Sequence, residues 1–344
     1  MSEQKVLTKG RLLNDRGELN EAGYAKTLVK EYSRAQVKAS PLRLKEWDYY
    51  LISDGLKALA LTIADNGYMG LVSWSLLDFQ KPWQQTVSRM TLLPLGKTGL
   101  PPTSERGSVR AQGRDYETAF ENDGVKRRLY GNCRNFFEGK PLVFDVTLDQ
   151  PPKESMVIAT PFAGKKKAFY YNQKINCLRA SGRAFLGEKE LLFPEASSGG
   201  VLDWGRGVWT YDNTWYWASL SGQIGDKRFG FNLGYGFGDT SAASENMLFF
   251  DGRAHKLSRV TFEIPMKDGR EDYLAKWRFT SDDGRFEAEF TPVIDRAALT
   301  DFKVLCSDQH QVFGRFTGTA VLDDGTKISM RDMMGFAEKV RNKW

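Results

Sequence analysis

Tight turns constrain this chain more than any other feature. An acidic or amide residue precedes glycine at Asp54-Gly55, Asn66-Gly67, Asp123-Gly124, Asp251-Gly252, Asp283-Gly284 and Asp324-Gly325. Each pair sits between runs in which apolar and polar residues alternate. Asp-Gly and Asn-Gly suit two-residue hairpin turns, because both central positions of a type I′ turn need positive φ. Alternation with period two is the pattern of a strand with one buried face. Aromatics at 13% and 33 glycines among 344 residues point the same way. The expected class is all-β, mostly antiparallel, built as two β-barrel or sandwich modules.

The unusual residues gather between Asp203 and Glu263. Trp204, Trp209, Trp215 and Trp217 fall there, with a run of glycines and one of two histidines. Trp215 and Trp217 share a strand face. In Phe229 to Gly236, Gly230, Asn232, Gly234 and Gly236 share the face opposite Phe229, Phe231, Leu233 and Tyr235. Such a bare face fits a crossing strand, a bulge or a sharp bend. It also fits a floor on which a ligand approaches the backbone. A two-residue turn at Asp251-Gly252 pairs Phe250 with Arg253 and Leu248 with His255. A longer loop would shift that register and move His255 across.

Three segments follow. Residues 1–45 read as an arm, with a helix capped by Asn20 and apolar residues Ala25, Leu28, Val29 and Tyr32 at helical spacing. Residues 46–165 form a first β module, with Pro151-Pro152 and Pro161 to Lys167 marking its end. Residues 166–344 form a second, closed by a helix over Arg331 to Trp344 with Met334, Ala337 and Val340 on one face. Tyr170-Tyr171-Asn172 echoes Asp48-Tyr49-Tyr50, and the Asp-Gly hairpins recur in both halves.

Charge and cysteines narrow the class. The balance of 49 basic and 43 acidic residues is spread along the chain. Its one dense run, Lys165-Lys166-Lys167, suits a polar loop, so nucleic acid is not the expected partner. No apolar run approaches a membrane span, and the first residues lack the apolar core of a secretory signal. Cys133, Cys177 and Cys306 are far apart and odd in number, as expected of reduced thiols in the cytoplasm. Two histidines without metal-ligand spacing argue against zinc. Gly234-Tyr235-Gly236-Phe237-Gly238 misplaces the third glycine of a dinucleotide fingerprint. Ala218-Ser219-Leu220-Ser221-Gly222 lacks the leading glycine of a nucleophile elbow. No cofactor is expected.

A resemblance rests on motifs along nearly the whole chain: Leu12-Leu13-Asn14 with Gly17, Lys45-Glu46-Trp47-Asp48-Tyr49-Tyr50, Asp203-Trp204-Gly205-Arg206-Gly207-Val208-Trp209, Trp217-Ala218-Ser219, Gly230-Phe231-Asn232, Glu245-Asn246, His255-Lys256-Leu257 and His310-Gln311-Val312-Phe313-Gly314. With these the chain resembles a bacterial family catalogued as domain of unknown function 2804. More distantly it is similar to lipocalin-like two-barrel proteins such as carotenoid 1,2-hydratases. That likeness implies two lipocalin-like modules and an apolar guest.

The site expected from these residues is an aromatic hollow. Trp204, Arg206, Trp209, Trp215, Trp217, Asn232 and Asn246 are its candidate ligand contacts. Asp203, Glu245 and His255 are candidate proton donors, since hydration of an isoprenoid double bond needs an acid in a dry pocket and aromatic faces for a carbocation. The carboxylates and tryptophans also have structural explanations, turn bonds and core packing, and His310, outside this set, reads as a satisfied structural histidine. Three functions are compatible: a binder of an apolar small molecule, an acid-catalysed enzyme acting on one, or a partner-binding scaffold with a filled interior and a large exposed apolar patch.

Overall fold

A computed structural model describes residues 4–149, 153–301 and 306–343. The chain is all-β, and among the described residues two curled antiparallel sheets of 13 and nine strands form two half-barrels. The first sheet begins with a meander of Leu44–Ser53, Lys57–Asp65, Met69–Asp78 and Trp83–Leu92. The first strand of the meander pairs with Gly199–Val208, which pairs with Phe169–Leu186, and the sheet runs on through Lys140–Asp149 to Gly107–Gly113. The second sheet centres on Asp212–Ile224, flanked by Lys227–Tyr235 and Lys327–Lys343. Sheet membership changes between Val208 and Asp212.

All six Asp-Gly and Asn-Gly pairs have positive φ at the glycine, but only at Asp251-Gly252 do both residues, as a type I′ turn requires; at Asp54, Asn66, Asp123, Asp283 and Asp324 the residue before glycine does not. Asp251 and Gly252 both have positive φ, at 51° and 80°. The register that follows pairs Phe250 with Arg253 and Leu248 with His255, as the two-residue turn requires.

Neither expected helix forms. After Asn20 the arm stays extended: Gly23–Ala25 is a strand whose Ala25 pairs with Val157, and the Asn20 amide donates to the Arg11 carbonyl instead of capping a helix. Only two short 3₁₀ turns occur there, Arg34–Gln36 and Pro41–Arg43. The C-terminal segment is the strand Lys327–Lys343, paired along one edge with Cys306–Val321 and along the other with Asp212–Ile224. Gly335 to Glu338 are buried in succession. A strand covered on both faces loses its alternation, and the remaining apolar spacing imitates a helix.

Each half-barrel has its own filled interior. Trp74, Trp204, Leu61, Phe144 and Tyr171 pack inside the first, and Trp277, Phe231, Phe279, Phe290 and Phe316 inside the second. The opposite faces of the two sheets meet each other. Phe79 stacks on Phe313 with ring centroids 5.5 Å apart, and Tyr49 meets Trp217 edge-to-face at 6.1 Å. Burying side chains of this size contributes about 1.5–3 kcal/mol each, so the seam is a third core. It is incompletely filled.

Candidate functional site

Strand pairing lays the seam out in rows. On the first sheet Lys174, Asp203, Tyr49, Thr62, Ser73 and Ser88 are successive partners across five strand pairs, so they share one face. On the second, Arg296, Gln311, Glu338 and Trp217 do the same. The two rows face each other across a cavity of about 370 Å³, within the range of small-molecule sites.

One end is aromatic. The Trp209 ring stands edge-to-face to Trp47 at 5.3 Å, to Trp215 at 5.6 Å and to Phe237 at 4.7 Å. Trp47 stacks on Tyr170 at 6.1 Å. Gly205 makes this possible: a Cβ there would lie 2.0 Å from the Trp47 indole. The glycine face of Lys227–Tyr235 is occupied as well. Gly230 lies against Leu220 and the Cys177 thiol, and the Glu245 carboxyl lies over Gly234.

The other end is polar. Lys174 donates to Asp203 at 2.7 Å while its ammonium sits 3.7 Å over the Trp217 ring. Asn172 donates to the second oxygen of Asp203 at 2.7 Å. Trp215 and Gln311 each donate to one oxygen of Glu338, both at 2.9 Å. Arg296 donates to Gln311 at 2.6 Å and, across the seam, to Ser75 at 2.6 Å. Trp217 donates to Asn232 at 2.7 Å, and Asn232 donates to the Glu245 backbone carbonyl at 2.8 Å and, weakly, to its carboxylate at 3.3 Å.

Two carboxyls here have raised pKa values. Burial comes first for both, and it outweighs Lys174 and Asn232 at Glu245, and Trp215 and Lys174 at Glu338. A carboxyl kept neutral by desolvation can donate a proton near neutral pH. Burial also pushes the Tyr49 phenol up to about 12, so it keeps its proton.

Of the residues expected at a site, the cavity gathers Asp203, Glu245, Trp209, Trp215 and Trp217. Asn232 stands behind Trp217 and Glu245. Asn246 is consumed by backbone, accepting from the Gly234 N–H at 2.7 Å and donating to the Ser258 carbonyl at 2.8 Å. Trp204 and Arg206 point the other way along Gly199–Val208, into the first half-barrel. Arg206 is fully buried there. It donates to Asp48 and to the carbonyls of Trp47, Gly205 and Pro101, with its guanidinium 4.3 Å over Trp204. His255 lies away from the cavity, its Nδ1 accepting from the Asp323 N–H at 3.2 Å, and burial lowers its pKa.

The expectations missed Trp47, Tyr49, Tyr170, Lys174, Phe237, Arg296 and Glu338. Trp47 and Tyr49 alternate within the Lys45–Tyr50 motif, a signal open to a period-two reading. Glu338 was hidden inside the segment read as a helix. Lys174 and Arg296 carry no local signal.

The curled pair of antiparallel half-barrels bears a distant resemblance in fold to lipocalin-like proteins. The chain belongs to the family described as Domain of unknown function (DUF2804), whose model matches residues 3–344. No curated protein matches it with significance. Among solved structures it is similar to kievitone hydratase from Nectria haematococca, with TM-score 0.53, 13% identity, and 99% of this chain and 98% of that chain covered. It is also similar to an AttH-type protein from Nitrosomonas europaea, with TM-score 0.52, 12% identity and coverage of 91% and 98%. At these identities the likeness is one of fold.

Proposed function

We propose that the protein binds an apolar small molecule, lipid- or isoprenoid-like, in the seam between its half-barrels. The observation that carries this is the aromatic end of the cavity, where Trp47, Trp209, Trp215, Tyr170 and Phe237 surround space that no side chain fills. A scaffold role called for a filled interior and a large exposed apolar patch; the half-barrels are filled, but the seam between them holds a cavity. The test is saturable quenching of tryptophan fluorescence by farnesol, with Trp215→Ala expected to weaken binding at least tenfold. Farnesol binding that neither saturates nor responds to Trp215→Ala would remove the proposal. The three thiols are free, which supports a reducing compartment such as the cytoplasm.

A second reading, acid-catalysed hydration or cyclisation, is favoured by one arrangement. The Glu245 carboxyl is raised in pKa, holds one weak hydrogen bond and lines the aromatic cavity. In that reaction its proton goes to an alkene carbon, Trp209 and Trp215 face the cation, and water adds to the neighbouring carbon while returning a proton to the carboxylate. Glu338 is the alternative donor, although two N–H groups already hold its oxygens. Asp203 suits the role poorly, since Lys174 and Asn172 occupy both its oxygens. The named activity of kievitone hydratase supports this reading by analogy of fold. Deuterium incorporation into a terpenoid alkene in D₂O, abolished by Glu245→Gln and Glu338→Gln together, is the expected result. Incorporation that survives the double substitution would exclude both donors.

A further inference from the structure

Ion-pair geometry along the cavity leaves one cation, Arg296, and two carboxyls, Glu245 and Glu338, without an ion-pair partner among the described residues. Five charged side chains line it: Lys174, Asp203, Glu245, Arg296 and Glu338. Lys174 and Asp203 neutralise each other at 2.7 Å. Arg296 has no carboxylate within ion-pair distance among the described residues. Its two hydrogen bonds go to neutral oxygens, one on each sheet: Ser75 Oγ and Gln311 Oε1, both at 2.6 Å. Those two bonds use two of the five N–H groups of a guanidinium and fix its plane across the seam. Glu338 is separated from Arg296 by the whole Gln311 amide, which accepts from one and donates to the other.

A second group at the same place is unsatisfied. Tyr49 is 8% exposed and lines the cavity, and its hydroxyl makes no hydrogen bond of normal geometry. It lies within electrostatic reach of Arg296 and beside the Gln311 side chain, which offers it a hydrogen bond short of normal geometry. A buried hydroxyl without a well-formed hydrogen bond is destabilising. A ligand oxygen that accepts from Tyr49 would relieve it. The same oxygen would meet the Arg296 guanidinium, which has no ion-pair partner among the described residues.

We infer that Arg296 and Tyr49 form a seat for an anionic oxygen, so the molecule held in the seam is an amphiphilic acid, with its apolar body against Trp47, Trp209 and Trp215 and its carboxylate on Arg296. This rests on the proposed binding role and specifies its ligand class. Charge-assisted hydrogen bonds are roughly twice as strong as neutral ones, and arginine is the side chain best shaped for a carboxylate. Lys174 is the other cation, but Asp203 and the Trp217 face already occupy it.

The test compares laurate with methyl laurate, two probes of nearly equal shape that differ in charge, by tryptophan fluorescence titration at pH 8. Wild type should bind laurate at least tenfold tighter than the ester. Arg296→Met should erase that preference, and Arg296→Lys should restore part of it. Tyr49→Phe should weaken laurate by about three- to tenfold more than the ester. Near-ultraviolet circular dichroism confirms that each variant is folded. Equal wild-type affinity for acid and ester, or a laurate preference that survives Arg296→Met, overturns the anion seat and leaves the binding role standing. Failure of wild type to bind either probe, or farnesol, removes the binding role and the seat with it.

Discussion

Two tryptophans with a cation on their faces sit 13 residues apart in the sequence and do different things. Trp204 carries the Arg206 guanidinium at 4.3 Å, and Trp217 carries the Lys174 ammonium at 3.7 Å. Each cation also has an aspartate, Asp48 for Arg206 and Asp203 for Lys174. The first triad is sealed inside a half-barrel, where three backbone carbonyls accept from the terminal nitrogens of Arg206 and its Nε–H is left without a hydrogen bond. The second opens on a void. Identical pairwise chemistry is therefore sealed where packing is complete and borders open space where it is not.

This comparison breaks most visibly at the cations. Arg206→Met strands Asp48 and three carbonyls in a dry interior, so urea unfolding should show a loss of about 3–5 kcal/mol. Lys174→Met leaves Asp203 with Asn172 beside a cavity that admits water, and its cost should be about 1.5–3 kcal/mol. Equal losses in the two variants would mean the seam is as sealed as the barrel.

The aromatic pair sharpens the contrast. Trp204→Ala should cost about 3–5 kcal/mol, because it opens a hole in a close-packed interior. Trp215→Ala widens an existing space and should cost less than half as much, while ligand binding falls away. A thermal shift equal to that of Trp204→Ala would show that Trp215 is core.

Gly205→Ala tests how the cavity is held open. Its Cβ would strike the Trp47 indole, so Trp47 must swing aside, at about 1–3 kcal/mol. Farnesol quenching should fall in step with the change in Trp47 environment. Undisturbed binding would place the guest away from Trp47.

The smallest effect concerns protons. Glu245 and Glu338 have pKa values raised above the ordinary 4.5 by burial, so the folded chain holds these protons more tightly than the unfolded one. Their contribution to stability is fully present below pH 4.5 and is lost as pH rises through the raised values. The loss is about 1.4 kcal/mol for each pH unit by which the folded value exceeds the unfolded one. Urea midpoints between pH 4.5 and 8 should fall less steeply in Glu245→Gln than in wild type. A steeper fall in the variant would show that Glu245 is ionised in the folded chain.

Much of the strand plan was readable because hairpins are local. Asp251-Gly252 determines its own turn, and the turn sets the register of His255 from within a few residues. Alternation also separates Asp203 from Trp204, and Trp215 and Trp217 from their neighbours. Which of those faces borders empty space depends on the other sheet, and that sheet is out of reach of any local pattern. Trp204 and Trp209 therefore looked equivalent, and only one lines the cavity. The closing strand was missed for a related reason: Phe336, Ala337 and Glu338 are all buried, because the barrel core takes one face and the seam takes the other.

The chain by itself decided its class, its turns and most of its pairings, since these depend on φ preferences and on side chains a few positions apart. Tertiary structure alone brought Arg296 to Tyr49 and Glu338 to Trp215, over separations of 247 and 123 residues. Cavities and ion pairs of this kind arise where two finished sheets touch, and their shape is a property of the contact between sheets that no single strand encodes.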